Sequence, residues 1–322
     1  MNLFLRNPWL HMLGRRGLQV VALALIIGTL CFFMVRALPG DLAMRVAASR
    51  YGLDLVSGAA ADAVRAEMGL NQSAWQGLLG WWRDMATLNL GQSLITQRPV
   101  WVDVGHHLGA TLRLSAAALA VALAVGLPLG LWAGLRPGSW ANRASWALAV
   151  VLRGTPPFLL SVLLMLLVAV HWGFLPVAGD DESASLVLPA LALGLGLGAG
   201  LARVTRSAMQ EVAQSPAFEF ARTKGLTDMQ AVLRHGLRAA AVPVVAYLGV
   251  QTLFLVEGAL VVETLFAWPG IGHALVHAIF GRDIPVVQGA ALAMALLFVV
   301  FNLLLDAACV ALDPRQQRGV AA

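Results

Sequence analysis

The chain has 322 residues, of which 59% are hydrophobic and only 12% are charged, and its mean hydropathy is +0.76. A soluble domain carries about 25% charged residues, so these charges are too few to cover a soluble protein, and the apolar surface is expected to face lipid. The formal net charge is +5, but the basic residues lie beside apolar runs. Anionic lipid headgroups therefore explain them better than nucleic acid does.

The first apolar run, Leu18 to Val35, follows Arg15 and Arg16 and has the outline of a secretory signal peptide. It is long enough to cross a bilayer, and no small-residue cleavage site follows it before the sequence RALPGD. We therefore predict an uncleaved anchor helix over residues 18–36, preceded by a cytoplasmic segment at 1–17.

Five further apolar runs are long enough to cross a membrane. The sequence thus predicts an all-α integral membrane protein with six transmembrane helices. A soluble segment at 37–109 separates the anchor from a five-helix core at 110–312, and a tail at 313–322 follows. The tryptophans of the soluble segment (Trp75, Trp81, Trp82 and Trp101) suit a belt at the membrane surface. The five runs are about 110–135, 145–170, 186–208, 239–263 and 286–311.

The arginines predict the orientation of these spans, because loops rich in Lys and Arg stay on the cytoplasmic side. Basic residues cluster before the first span, after the second, after the fourth and in the tail, and these four regions share one side. The opposite loop at 171–185 carries three acids and no Lys or Arg. Both termini are therefore expected in the cytoplasm, with residues 37–109 outside, in the periplasm.

A polar, basic stretch at 211–238 interrupts two of the most apolar runs. Ser215 and Pro216 suit the start of a short helix, and Gly225 suits its C-terminal end. Thr227 then caps a second helix, with Gln230 completing a capping box. A solvated connector and a DNA-binding helix-turn-helix are the alternatives, but connectors between membrane helices are usually shorter.

Within this hairpin, EFARTKG followed by RHGLR resembles the EAA loop of ABC importer permeases. Glu219, Ala221, Gly225 and Leu237 match its Glu, second Ala, Gly and Leu, whereas Phe220 replaces the first Ala. Further fragments are similar, in order, to the dipeptide, oligopeptide and nickel subfamily. They cover nearly the whole chain and are LPGD, LGQSLITQRPV, WGFLPVAG, RVTRSAMQEV, VVETLFAWPGIG, RDIPVVQG and ALDPRQQR.

The resemblance implies a type I ABC importer permease whose hairpin is a coupling helix docked on a cytoplasmic ATPase. It implies a second permease subunit, two ATPase subunits and a periplasmic binding protein as partners. ATP and Mg²⁺ would bind to the ATPases, and no cofactor or metal to this chain. The substrate would be a small peptide, with an opine, nickel or a metal chelate as alternatives. The residues expected to couple are Glu219, Ala221, Arg222, Lys224, Gly225, Leu226 and His235.

The chain shows no sign of enzymatic machinery of its own. It lacks the G-x-x-x-x-G-K-[ST] phosphate loop, and the glycine cluster from Gly194 to Arg203 lies inside a span, where it predicts a face for tight helix packing. His273 and His277 are spaced for a metal site, but a surface pair is the simpler interpretation. A secondary transporter is the alternative class, although the internal repeats typical of that class are not evident.

Ionisable groups inside spans are costly and therefore predict function. Glu257 and Arg113 lie toward the outer ends of two spans, so they could form an ion pair or Glu257 could attract a cationic substrate group. With Asn302 and Asp306 of the last span they form the candidate translocation path. The sequence AWPGIG, containing Trp268, Pro269 and Gly270, predicts a type II turn on the outer face near the binding-protein dock.

Overall fold

The computed structural model describes residues 8–37, 40–52, 57–67, 73–87, 89–179 and 183–312. Within these ranges the protein is helical, and an isolated bridge between Gln92 and Pro99 is the only extended pairing. The helices are α1 (Pro8–Ala37), α2 (Leu42–Tyr51), α3 (Gly58–Glu67), α4 (Ala74–Ala86), α5 (Val100–Leu135), α6 (Trp140–Gly154), α7 (Pro157–Leu164), α8 (Val187–Ala213), α9 (Pro216–Thr223), α10 (Asp228–Ala231), α11 (Leu237–Leu265), α12 (Ile271–Gly281) and α13 (Ile284–Leu312).

Four helices of the described chain are long and apolar enough to span a membrane, and the number rises to six if two bent pairs each count as one span. One pair is α6 with α7 and the π-helical turn Met165–His171, bent by 102°. The bend falls at Pro156 and Pro157, because proline lacks the amide that would continue the hydrogen-bond ladder. All-α architecture and candidate spans therefore agree with the sequence-based prediction.

The second predicted span is longer at its N-terminus than its apolar run suggested. The helix begins at Val100 rather than near residue 110, so it includes ten residues that the sequence assigned to the soluble segment. The helix continues without a break from residues 100–109 into the apolar part. Asp103 lies in its first turn, where the helix dipole favours an acid. Hydropathy marked the apolar part of this helix but missed its polar first turns.

The chain divides into two compact units, with the boundaries inside α5 and α13 and between Pro269 and Gly270. Unit 1 comprises residues 1–110 and 270–300, and unit 2 comprises residues 111–269 and 301–322. In unit 2, α8 packs against α6, α7 and α11, and most of its residues are buried. Because α8 is mostly buried and contacts these three helices, it is the central helix of unit 2.

Glycines bring α5 and α8 into backbone contact within unit 2. A Cβ atom on Gly126 or Gly130 of α5 would lie 2.7 or 2.6 Å from a carbonyl oxygen of α8, and one on Gly194 of α8 would lie 2.6 Å from the carbonyl of Ala118. Gly198 approaches Ala122 in the same way. The structure thus confirms the predicted packing role of the glycine cluster, since small residues let membrane helices approach closely.

In unit 1, the segment between α1 and α5 has its own small core. Asp41 caps α2 through the amides of Ala43 and Met44, and it pairs with Arg65 of α3 at 2.6 Å. The apolar faces of α2 and α3 pack together with Leu94. This arrangement explains how a short, moderately polar segment forms ordered helices.

Two tryptophans of this segment bond to neighbouring helices. The indole of Trp81 donates a hydrogen bond to Gln288 of α13 at 2.7 Å, and that of Trp82 donates one to Thr29 of α1 at 3.2 Å. The Trp81 ring also occupies the space that a side chain on Gly28 would fill. These bonds hold Trp81 and Trp82 against α13 and α1, and the belt at the membrane surface stays a prediction.

Candidate functional site

The polar hairpin folds as its capping residues predict. The Ser215 hydroxyl accepts a hydrogen bond from the Phe218 amide at 3.3 Å, and Thr227 and Gln230 form a reciprocal capping box. Gly225 has φ +86°, a left-handed conformation that favours glycine, and the Leu226 amide returns to the Ala221 carbonyl. The hairpin is therefore a locally determined structure of two short helices.

The hairpin has one buried face and one exposed face. Phe218 and Ala221 are buried against Met209, Val212 and the start of α11 in one apolar cluster. Phe220, Met229 and Leu233, in contrast, are each 61% exposed. Exposed apolar side chains of this size are unusual on an otherwise polar segment, which makes these three residues candidates for contact with another protein.

The residues predicted to couple are distributed over both faces. Glu219, Arg222 and Lys224 are exposed, and Ala221 is buried. Arg222 pairs with Asp228 at 3.3 Å across the turn, and the Lys224 ammonium lies 4.5 Å from the centroid of the Phe220 ring. Leu226 packs against the buried cluster. The side chain of His235 lies outside the described residues.

Sequence reasoning missed a buried acid at the C-terminal end of α11. Glu263 is completely buried, and its carboxyl group accepts a hydrogen bond of 2.6 Å from the hydroxyl of Thr111 on α5. Its position at the edge of an apolar run suggested the end of a span rather than its interior. The signal that could have found it is a lone ionisable residue beside an apolar run, the same signal that marked Glu257.

Arg113, in the N-terminal half of α5, contacts an aromatic ring. Its guanidinium lies 5.8 Å from the centroid of the Trp268 ring, and Trp268 is only 4% exposed. Such a stack places the cation over the negative face of the indole. The side chain of Glu257 lies outside the described residues, so the ion pair between Glu257 and Arg113 stays a prediction.

The AWPGIG turn differs from the predicted type II turn, which requires a positive φ at Gly270. Gly270 instead has φ −81° and is the N-cap residue of α12, whereas Ala267 has φ +48°. The Trp268 amide donates a hydrogen bond of 2.8 Å to the carbonyl of Glu263. The turn prediction was wrong because the chain leaves α11 through the positive φ of Ala267 and the bond from Trp268 to Glu263, before Pro269 is reached. A short apolar helix, α12, follows it.

A cavity of about 200 Å³ lies among α6, α7, α8 and α11 in unit 2. Its polar groups come from Arg153, Thr155 and Gln251, and its apolar wall includes Leu193 and Leu255. Asn302 and Asp306 of α13 are half-buried. A small, mostly apolar cavity with a few polar groups, among membrane-spanning helices, is the kind of space in which a transported molecule can be held.

Histidines of unit 1 lie close together. The rings of His273 and His277 on α12 are 4.5 Å apart between centroids. Burial lowers the pKa of His273, and the charges of His277 and of His107 on α5 lower it further. Among the residues that the structure describes, no group of three or more His, Cys, Asp or Glu side chains could hold a metal ion.

Residues 126–318 match the family described as binding-protein-dependent transport system inner membrane component. This match covers more than half of the chain and includes the glycines of the contact between α5 and α8, the hairpin and buried Glu263. The chain therefore belongs to that family, and it is a multi-pass permease component of an ABC importer in the inner membrane.

Relatives and solved structures agree with this assignment. The chain is 35% identical to the glutathione transport system permease protein GsiC of Pectobacterium atrosepticum, over 93% of this chain and 96% of that protein. It is 33% identical, with the same coverage, to GsiC of Escherichia coli K12. Among solved structures, the inward-facing MetNI methionine ABC transporter shares the fold, with a TM-score of 0.56 and 20% identity over 67% of this chain and 98% of that chain.

Proposed function

We propose that this chain forms half of the translocation path for small, glutathione-like peptides, and that its α9–α10 hairpin transmits ATP-driven motion from a cytoplasmic ATPase. The observation that carries the proposal is the hairpin, whose Phe218 face is anchored in unit 2 while Phe220, Met229 and Leu233 are exposed. A second permease subunit, two ATPase subunits that bind ATP and Mg²⁺, and a periplasmic binding protein complete the assembly. This chain then carries out no catalysis and needs no cofactor.

Substitution of the exposed apolar residues tests the coupling role. The double variant Phe220→Ala and Met229→Ala removes apolar area from the proposed contact but leaves the buried face intact. The permease should therefore insert into the membrane normally, but the ATPase should no longer co-purify with it. Val204→Ala, on a half-buried side chain of α8, is a control for the effect of a lost apolar group. Retention of the ATPase by the double variant would contradict the proposal.

The orientation follows from the arginines and has its own test. A cysteine introduced at Ser183 should react with a membrane-impermeant thiol reagent added outside intact cells. Cysteines at Ser207 or Gln317 should react only after the membrane is opened. Cys31 and Cys309 are first replaced by serine so that only the introduced thiol is measured. The reverse labelling pattern would invert the proposed topology, including the periplasmic location of residues 37–109 and the cytoplasmic location of both termini.

The substrate proposal rests on the names of the similar permeases, which are glutathione transport proteins. Cells that carry the complete transport system should accumulate labelled glutathione or a small peptide. Accumulation should cease when ATP is depleted and should persist when only the proton gradient is collapsed. Persistence without ATP would favour a secondary transporter, and accumulation of nickel instead of peptide would favour the metal-transporting alternative.

A further inference from the structure

A second cavity of unit 2, of about 320 Å³, lies between the first half of α6 and the second half of α8. None of its lining residues lines the cavity near Arg153. Its six lining residues include three arginines and no acid. They are Asn142, Arg143, Ser145, Trp146, Arg203 and Arg206.

The charges of this cavity are not balanced within the part of the chain that the structure describes. Arg206 donates a hydrogen bond of 2.6 Å to the side-chain oxygen of Asn142, which fixes its guanidinium but does not neutralise it. No salt bridge joins Arg143, Arg203 or Arg206 to an acid among the described residues. Guanidinium groups gathered without an acid form a site for an anion, and their planar donor geometry matches the oxygens of a phosphate.

The buried hydroxyl of Ser145 gives independent evidence for a ligand. Ser145 lines the cavity and is completely buried, and its Oγ atom has no hydrogen-bond partner. A buried polar atom without a partner costs free energy, so native proteins rarely leave one unsatisfied. An anion in the cavity would accept the hydrogen bond that the hydroxyl can donate.

Exposed tryptophans place the cavity at the level of lipid headgroups. Trp132 at the end of α5, Trp140 at the start of α6 and Trp146 in the cavity wall are 50%, 67% and 66% exposed. The rings of Trp132 and Trp140 are in contact, 6.0 Å apart between centroids. Exposed tryptophans on membrane helices mark the boundary between hydrocarbon and water, where the phosphates of phospholipids lie.

We propose that Arg143, Arg203, Arg206 and Ser145 bind the phosphate of an anionic phospholipid at this end of unit 2. The phosphate lies between α6 and α8, and the acyl chains extend along the exposed apolar surface beside Trp146. Under the orientation proposed above, the lipid belongs to the cytoplasmic leaflet, and only that choice of leaflet rests on the proposed function. Basic pockets between membrane helices are suited to such headgroups.

The test measures binding to the purified full-length chain in a neutral detergent, without ATPase or transport substrate. Phosphatidylglycerol is titrated, and the rise in thermal unfolding midpoint gives its apparent affinity. Phosphatidylcholine has the same phosphate but no net charge, and inorganic phosphate has no acyl chains. We expect phosphatidylglycerol to stabilise the chain at concentrations at which the other two do not.

Two variants and a control locate the site. Arg143→Gln with Arg203→Gln changes two exposed side chains and should weaken phosphatidylglycerol binding about 30-fold, at about 1 kcal/mol for each arginine. Ser145→Ala should leave the thermal unfolding midpoint measured without lipid unchanged or higher, because it removes an unpaired hydroxyl. It should still weaken phosphatidylglycerol binding. Arg136→Gln, in the exposed loop between α5 and α6, should bind as the parent does.

Three results would overturn the proposal. One is equal stabilisation by phosphatidylcholine and phosphatidylglycerol. Another is unchanged phosphatidylglycerol affinity in Ser145→Ala and in the double arginine variant. The third is stabilisation by inorganic phosphate as strong as that by the lipid, which would assign the cavity to a free anion. None of these measurements depends on transport, so a failure of the peptide or coupling proposals leaves the result interpretable.

Discussion

The hydroxyl of Thr111 donates a hydrogen bond of 2.6 Å to the buried carboxyl group of Glu263, and this bond joins α5 to the end of α11. Thr111→Val keeps the shape of the side chain but removes the donor. We expect the free energy of unfolding in detergent to fall by about 1–3 kcal/mol, because the acid loses a partner in a buried site. Thr111→Ser retains the hydroxyl and should lose less. A free energy of unfolding in Thr111→Val equal to that of the parent would show that the hydrogen bond does not stabilise the protein.

Because α5 and α8 are in close contact, we predict that a side chain at position 130 destabilises the protein. A Cβ atom there would lie 2.6 Å from both the Ala202 carbonyl oxygen and the Thr205 side chain. We expect Gly130→Ala to lower stability by about 1–3 kcal/mol, since the helices must separate. Gly196→Ala is the matched control, because nothing lies within 4 Å of the added atom. A control variant as unstable as Gly130→Ala would contradict the packing argument.

At Gly225 the effect of backbone conformation can be measured apart from the effect of steric space. It has φ +86°, and no atom lies within 4 Å of an added Cβ, so only the left-handed backbone limits substitution. Gly225→Val should abolish ATP-dependent uptake with normal membrane insertion, whereas Gly225→Asn should retain most activity because asparagine tolerates this conformation. Uptake and ATPase coupling in Gly225→Val equal to those of the parent would contradict the assigned role of the turn.

A double-mutant cycle tests the predicted pair of Glu257 and Arg113. A charge in hydrocarbon costs at least about 2.5 kcal/mol, so an ion pair predicts that Glu257→Gln or Arg113→Gln alone destabilises the complex and that both together restore much of the loss. Because Arg113 also lies over Trp268, complete restoration is not expected. If Glu257→Gln lowers only uptake and Arg113→Gln gives no rescue, Glu257 contacts substrate instead.

The histidines of α12 predict a dependence of stability on pH. Burial, followed by the charges of His277 and His107, lowers the pKa of His273 in the folded protein below the usual value of about 6.5. As the pH falls below 6.5 the unfolded chain gains a proton that folded His273 does not, so stability decreases until the lowered pKa is passed. Above pH 7 the effect is absent. His273→Gln should flatten the fall in unfolding midpoint between pH 7 and pH 5, and an unchanged slope would contradict this assignment.

Local sequence determined the hairpin almost completely. Ser215, Thr227, Gln230 and Gly225 each act on backbone groups within a few residues, so their caps and turn could be predicted without knowledge of the fold. Long apolar runs likewise predicted membrane helices, because crossing a bilayer needs only length and composition. The prediction failed at the AWPGIG turn, where the conformation depends on how α11 ends rather than on Pro269 and Gly270.

Tertiary structure decided which distant side chains meet. Thr111 and Glu263 are 152 residues apart, and in unit 1 Ser93 donates a hydrogen bond to buried Asp283, which lies 190 residues further along the chain. The arginine cavity likewise combines two helices that no sequence window contains. These contacts depend on the rotation and separation of packed helices, which in unit 2 are limited by backbone contacts at Gly130 and Gly194. Hydropathy is insensitive to that rotation, because lipid accepts an apolar helix in any orientation about its axis.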